Sequence, residues 1–135
     1  MRKILVPTDG SAYALKAAEY AAKLAGELAS KVSILHVSEY HPRVRAKELV
    51  EEEERVGADI LSQTKKVFDE AGVPVQVMKL EFGNPADAIC SVAEREGFEL
   101  IVIGEKGMSG IGRFLMGSVA DRVSRHATCP VLIVR

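Results

Sequence analysis

Leu100-Ile101-Val102-Ile103 runs directly into GEKGMSGIGRFLMG, residues Gly104 to Gly117, and then into Ser118-Val119-Ala120-Asp121. An apolar strand, a glycine-rich loop and a helix start thus follow one another without a gap. Five of the 11 glycines fall in the 14 residues from Gly104 to Gly117. Glycine has no Cβ and tolerates positive φ, so such a loop can turn several backbone N–H groups toward one point. The helix start adds unpaired N–H groups and about half a positive charge. Together they form a site suited to a phosphate chain. A mobile surface loop is the commoner fate of glycine-rich sequence. Here, however, the loop lies at the carboxyl end of a buried strand, where open α/β sheets take their ligands.

Outward from this stretch, short Val- and Ile-rich runs alternate with helical periodicity. Strands are predicted at Lys3–Val6, Lys31–Val37, Val75–Phe82, Glu99–Ile103 and Val131–Val134. The first helix is predicted over Ser11–Leu28, with Ser11 as N-cap and Ala14, Leu15, Ala18, Ala21, Ala22, Ala25 and Leu28 on its apolar side. The second runs from near Val44 to Glu70, facing inward with Leu49, Val56, Ile60, Val67, Phe68 and Ala71, and Gly72 stops it. Asn84-Pro85 opens the third, which turns Ala88, Ile89, Val92 and Ala93 inward. The fourth spans Ser118 to His126. The order β-α-β-α-β-α-β-α-β requires right-handed crossovers and a mainly parallel sheet. Continuous apolar strands fit a sheet covered on both faces, a three-layer doubly wound α/β domain. Strand orders 3-2-1-4-5 and 2-1-3-4-5 both satisfy this pattern.

Composition narrows the function classes. At 135 residues one domain is expected, burying roughly 68% of its unfolded surface. The net charge of −1 supplies no field to recruit nucleic acid or an anionic membrane. No apolar run approaches the roughly 20 residues of a membrane span. Met1-Arg-Lys-Ile-Leu-Val-Pro7 reads as a strand rather than a signal peptide. Cys90 and Cys129 read as core thiols, in keeping with a cytoplasmic location. His36, His41 and His126 have neither metal-ligand spacing nor a paired nucleophile. Glu51 to Glu54 reads as a solvated helix face, and Arg43, Arg45 and Lys47 are too sparse for a nucleic-acid patch.

The glycine stretch fails the familiar phosphate patterns. Gly112 to Ser118 has the Walker spacing, but Ser118 occupies the lysine position, and G-x-G-x-x-G is broken at Leu115. It does contain Gly104-x-x-Gly107, nine residues, then Gly117-Ser118. That spacing resembles the G-2x-G-9x-G-[S/T] pattern of the universal stress protein family. Lys3-Ile-Leu-Val-Pro-Thr-Asp-Gly-Ser11, Gly83-Asn-Pro-Ala-Asp-Ala-Ile89 and Gly117 to Val123 with His126 to Arg135 resemble three further blocks of that family, in order. The resemblance covers residues 1–135 as one domain.

It implies strand order 3-2-1-4-5 and an ATP site at the carboxyl ends of strands one and four. Pro7, Thr8 and Asp9 would line its adenosine end, and Val37 would meet adenine. The segment Gly104, Glu105, Lys106, Gly107, Met108, Ser109 and Gly110 would wrap ribose and phosphates. Gly117, Ser118 and Val119 would hold the phosphates, with Mg2+ or Mn2+ held mainly through them. Glu105 stands where the family often has a small hydroxyl residue, so its carboxylate should point to solvent or toward a metal. Ala120 replaces a frequent hydroxyl residue. Asp9 is read as a ribose or metal contact against a plain turn acid, and Lys106 and Arg113 as phosphate partners against solvated loop charges. The resemblance also implies an antiparallel homodimer through the edge strand 131–135.

The expected function is a nucleotide-binding regulatory or stress-response switch without fast turnover. A slow metal-dependent nucleotide hydrolase or transferase, organised by Asp9 and Ser118, and a dimeric scaffold without nucleotide are the alternatives.

Overall fold

The computed structural model describes residues 2–39, 46–108, 110 and 115–135. The strands are β1 (Lys3–Pro7), β2 (Lys31–Ser38), β3 (Val75–Phe82), β4 (Leu100–Gly104) and β5 (Val131–Val134). The helices are α1 (Ala12–Leu28), α2 (Lys47–Glu70), α3 (Pro85–Arg95) and α4 (Ser118–His126). The sheet is parallel throughout, in the order β3-β2-β1-β4-β5. The two orders left open by the strand–helix alternation are thereby resolved. β1 and β4 are neighbours in register Ile4 to Leu100, so the turn after β1 lies beside the glycine loop after β4.

Two apolar layers cover the sheet. Ile4, Val6, Ile34 and Val102 pack against α1 and α2, while Leu5, Leu35, Ile101 and Ile103 pack against α3 and α4. The alternation along each strand puts successive side chains into opposite layers. α1 meets the sheet with Ala14, Ala17, Ala18, Ala21, Ala22 and Ala25 buried. These small side chains let it lie close. Leu28, expected inward, is instead exposed, because the helix ends there on Ala29 in the left-handed conformation.

α2 differs more from expectation. Its expected start at Val44 lies outside the described residues, and the helix is seen from Lys47. Leu49 and Val56 are exposed, and the buried positions are Gly57, Leu61, Thr64 and Phe68. Val56 instead lines the crevice, and its neighbour Gly57 is the residue that packs toward Leu80 and His36 of the sheet. Burying Leu61 and Phe68 contributes roughly 1.5–3 kcal/mol each. In α3, Ala86 takes the inward place expected of Ala88, since the Asn84 cap sets the helix phase. β4 begins at Leu100 rather than Glu99, whose N–H already donates to the Lys3 carbonyl.

Candidate functional site at the switch point

Strands β1 and β4 lead their chains to opposite sides, β1 toward α1 and β4 toward α4. A crevice of about 800 Å3 opens between them at their carboxyl ends. Pro7, Thr8, Asp9, Val37, Gly104, Glu105, Lys106, Gly107, Met108, Gly117, Ser118 and Val119 all line it, as does Ala120. Gly110 does not, although its N–H closes a turn onto the Gly107 carbonyl at 3.1 Å. Ser109 and Arg113 lie outside the described residues, as do His41, Arg43 and Arg45.

The turn after β1 is held by side chains that fold back on the backbone. Asp9 Oδ1 accepts from the Ser11 N–H at 2.9 Å, and Oδ2 accepts from the Met108 N–H at 3.1 Å. Asp9 therefore ties the first turn to the glycine loop 99 residues away. Thr8 is buried and shares a hydrogen bond with Thr64 Oγ1 of α2 at 2.9 Å. His36 is buried too, and its Nδ1–H donates to the Thr8 carbonyl at 2.8 Å.

On the other side the walls are backbone. The Gly117 N–H donates to the Glu105 carbonyl at 2.8 Å, which docks the start of α4 against the end of β4. A Cβ at Gly117 would lie 2.9 Å from that carbonyl oxygen and 3.1 Å from Lys106 Cα. A Cβ at Gly107 would lie 2.7 Å from Asp9 Oδ2. Gly117 therefore excludes a side chain for reasons of space, whereas at Gly107 the Asp9 carboxylate would have to give way and lose its place on the Met108 N–H. Gly104 is different: its Cβ would meet the Tyr13 carbonyl oxygen at 2.8 Å, so this glycine lets α1 pack on β4. No side chain caps α4, and its first returning bond is from Asp121 N–H to the Gly117 carbonyl at 2.9 Å. Among the described residues the amides of Ser118, Val119 and Ala120 are left as unpaired donors at the crevice.

Glu105 takes neither orientation expected of it. Its carboxylate pairs with Lys106 Nζ and lies 3.3 Å from Arg135 Nε on the last residue of the chain. The Lys106 hydrogen bond holds its pKa below the usual carboxylate range, against a smaller opposing effect of desolvation, with Arg135 adding to the lowering. Lys106 is buried and sits 5.9 Å from the Tyr13 ring centroid, so it is not a solvated loop charge. The two charges offset each other at the crevice wall. Burial pushes the thiols of Cys90 and Cys129 up, consistent with inert core positions.

The far end of the crevice contains residues that periodicity alone did not reveal. Ser38 and Glu39 follow Val37, and Glu53, Val56 and Ile60 come from α2. Ser38 Oγ–H donates to Glu53 Oε2 at 2.9 Å. Glu53 therefore leaves the solvated face to which Glu51–Glu54 was assigned. Its i, i+3, i+7 relation to Val56 and Ile60 is the one sequence signal that could have found it.

A doubly wound sheet with a glycine-walled crevice and an open helix N-terminus at its switch point defines a class of α/β proteins built to take phosphorylated ligands. The universal stress protein family model matches residues 1–135, and the chain belongs to that family. It is 39% identical over 143 residues to a universal stress protein of Methanocaldococcus jannaschii, covering 99% of this chain and 82% of that one. A universal stress protein solved in complex with cAMP is 27% identical, with a TM-score of 0.80 over 99% of this chain and 97% of the other. The universal stress protein of Archaeoglobus fulgidus in complex with dAMP is 26% identical, with a TM-score of 0.76 over 100% and 98%.

Proposed function

We propose that this protein binds ATP in the switch-point crevice and acts as a regulatory or stress-response switch without fast turnover. One observation carries the reading: the uncapped first turn of α4 opens on the crevice at Gly117, where the backbone of Glu105 and Lys106 leaves no room for a side chain. Adenine nucleotides in two structurally similar relatives support the choice of ligand class. In this reading Ser118, Val119 and the glycine loop hold the phosphates through N–H groups and one hydroxyl. Pro7, Thr8, Asp9 and Val37 line the nucleoside end. Lys106 is the one Lys or Arg among the described lining residues, and Glu105 occupies its ammonium. Mg2+ or Mn2+ therefore arrives with the triphosphate and supplies the missing counter-charge.

The test is the nucleotide carried through purification, released by heat and identified by mass spectrometry. ATP, retained by the native protein and absent from Gly117→Val, supports the reading. A nucleotide-free protein with no thermal shift in millimolar MgATP overturns it. Metal-dependent formation of ADP beyond the Gly117→Val control would favour the hydrolase instead.

The same reading includes a homodimer. β5 is a sheet edge, and the Pro130 and Val134 carbonyls accept from Ile101 and Glu105 of the β4 side. Parallel pairing alternates along a strand, so the backbone groups of Val131 and Ile133 face outward. A second copy would satisfy them across a twofold axis. Light scattering at micromolar concentration should give a dimer, and Ile133→Pro, which removes an outward donor, a monomer. A monomeric native protein counts against this interface.

A further inference from the structure

Of four consecutive glutamates in α2, Glu51 to Glu54, only Glu53 is drawn in, half-buried, to line the crevice. The other three are exposed. Its Oε2 is held at 2.9 Å by the hydroxyl of Ser38, a residue with 4% exposure at the very end of β2. Among the described residues Glu53 has no further partner, which leaves Oε1 as an acceptor at the crevice.

The position matters because of the sheet order. β2, β1 and β4 are adjacent, and Ser38 and Glu53 line the same crevice as Ser118 and Val119 from its β2 side. Neighbouring strands are about 4.8 Å apart, so the ends of β2 and β4 lie roughly 10 Å apart. That is about the reach of a nucleotide from its first phosphate to the far edge of its base. With phosphates on the α4 amides, the base arrives at Glu53.

Resting on the nucleotide reading above, the geometry points to Glu53 as the residue that selects the base: its Oε1 accepts a hydrogen bond from the exocyclic amine of a 6-aminopurine and rejects the 6-oxo group of a 6-oxopurine. An ionised carboxylate is an acceptor only. A 6-amino group offers it a donor, whereas a 6-oxo group sets acceptor against acceptor. The two-donor edge of guanine would want both carboxylate oxygens in parallel. Ser38 occupies one of them, so that bidentate pairing is lost. Ser38 is then a positioning residue, fixing which oxygen is presented.

Calorimetric titration of the native protein, Glu53→Gln and Ser38→Ala with ATP, ITP and 2′-deoxy-ATP tests this. The native protein should prefer ATP to ITP by on the order of tenfold, the scale of a hydrogen bond to a charged group that retains some water. Glu53→Gln should bring the ratio near one, because an amide can donate to a 6-oxo group or accept from a 6-amino group. Ser38→Ala should lower the ratio part-way. An unchanged ratio in Glu53→Gln overturns the assignment. So does an equal loss for ATP and ITP accompanied by loss of any preference over 2′-deoxy-ATP, which would place the carboxylate on the sugar. If the native protein binds ATP while the ratio fails, only the role of Glu53 falls. If the native protein binds no nucleotide, the underlying reading falls with it.

Discussion

The two ends of the crevice are built from different materials. At the α4 end the walls are largely main chain, Gly107, Gly117 and the first-turn amides, beside the mutually paired Glu105 and Lys106. At the α2 end they are side chains: Thr8 on Thr64, His36 on the Thr8 carbonyl, Ser38 on Glu53. A backbone cradle is sensitive to an added Cβ and indifferent to pH. A side-chain wall depends on hydrogen-bond partners from different elements. One end of the crevice is thus set by backbone geometry and the other by side-chain pairing between elements, so the two ends respond to different substitutions.

The sharpest way to break the comparison is Gly117→Val. ATP at 100 times its dissociation constant should stabilise the native protein by about 2.7 kcal/mol, a melting shift on the order of 10 °C. The variant should lose that shift, because its Cβ meets the Glu105 carbonyl oxygen at 2.9 Å and forces α4 away from β4. Differential scanning fluorimetry with and without MgATP reads it, and a variant that keeps the full shift would place the cradle elsewhere.

Gly104→Ala separates a packing glycine from a ligand glycine. Its Cβ would press on the main chain of Tyr13, so the cost should fall on the fold, roughly 1–3 kcal/mol by urea denaturation. A ligand-binding defect with unchanged stability would contradict this assignment.

At the other end, Thr64→Val removes the buried partner of Thr8. Thr64 Oγ1–H donates to the Ile60 carbonyl at 3.0 Å, so the buried Thr8 hydroxyl is the donor to Thr64 and loses its acceptor, at a cost of about 1–3 kcal/mol. Equilibrium unfolding checks it, and a neutral result would show that α2 does not hold the first turn through this bond.

The smallest effect concerns Glu105 and its ion pairs with Lys106 and Arg135. Glu105 has a lowered pKa in the folded protein, mainly through Lys106. Its contribution is thus present above the ordinary carboxylate pKa and is lost as pH falls below about 4. Melting temperature followed from pH 6 to 3 should decline less steeply in Glu105→Gln than in the native protein. Parallel curves would mean that the exposed pair with Arg135 and the buried one with Lys106 add nothing measurable.

The expected elements of the fold were legible because each carried its own periodicity. Val75–Phe82, Ser118–His126 and Val131–Val134 appear with the expected bounds, and Ser11 and Asn84 cap the helices they were expected to cap. The exception is the inward face of α2. Leu49 and Val56 have the right character but are exposed, Val56 at the crevice, while Gly57 and Thr64, neither strongly apolar, are buried. Hydrophobic pattern reports what a helix can bury, not which of its residues meet the sheet and which line a crevice.

The chain's own order of residues determined the strand–helix alternation, the glycine spacing at 104, 107 and 117, and an open helix start behind it, since all of these are local in sequence. Tertiary structure alone decided which glycine serves packing and which the crevice, that Glu105 turns to Lys106 and Arg135, and that Glu53 joins Ser38. Those pairings join residues as far apart as Glu105 and Gly117, Asp9 and Met108, or Glu105 and Arg135, and no spacing rule spans them. They arise only when parallel strands bring the ends of β2, β1, β4 and β5 side by side, so that polar groups taken from water must find partners across the sheet.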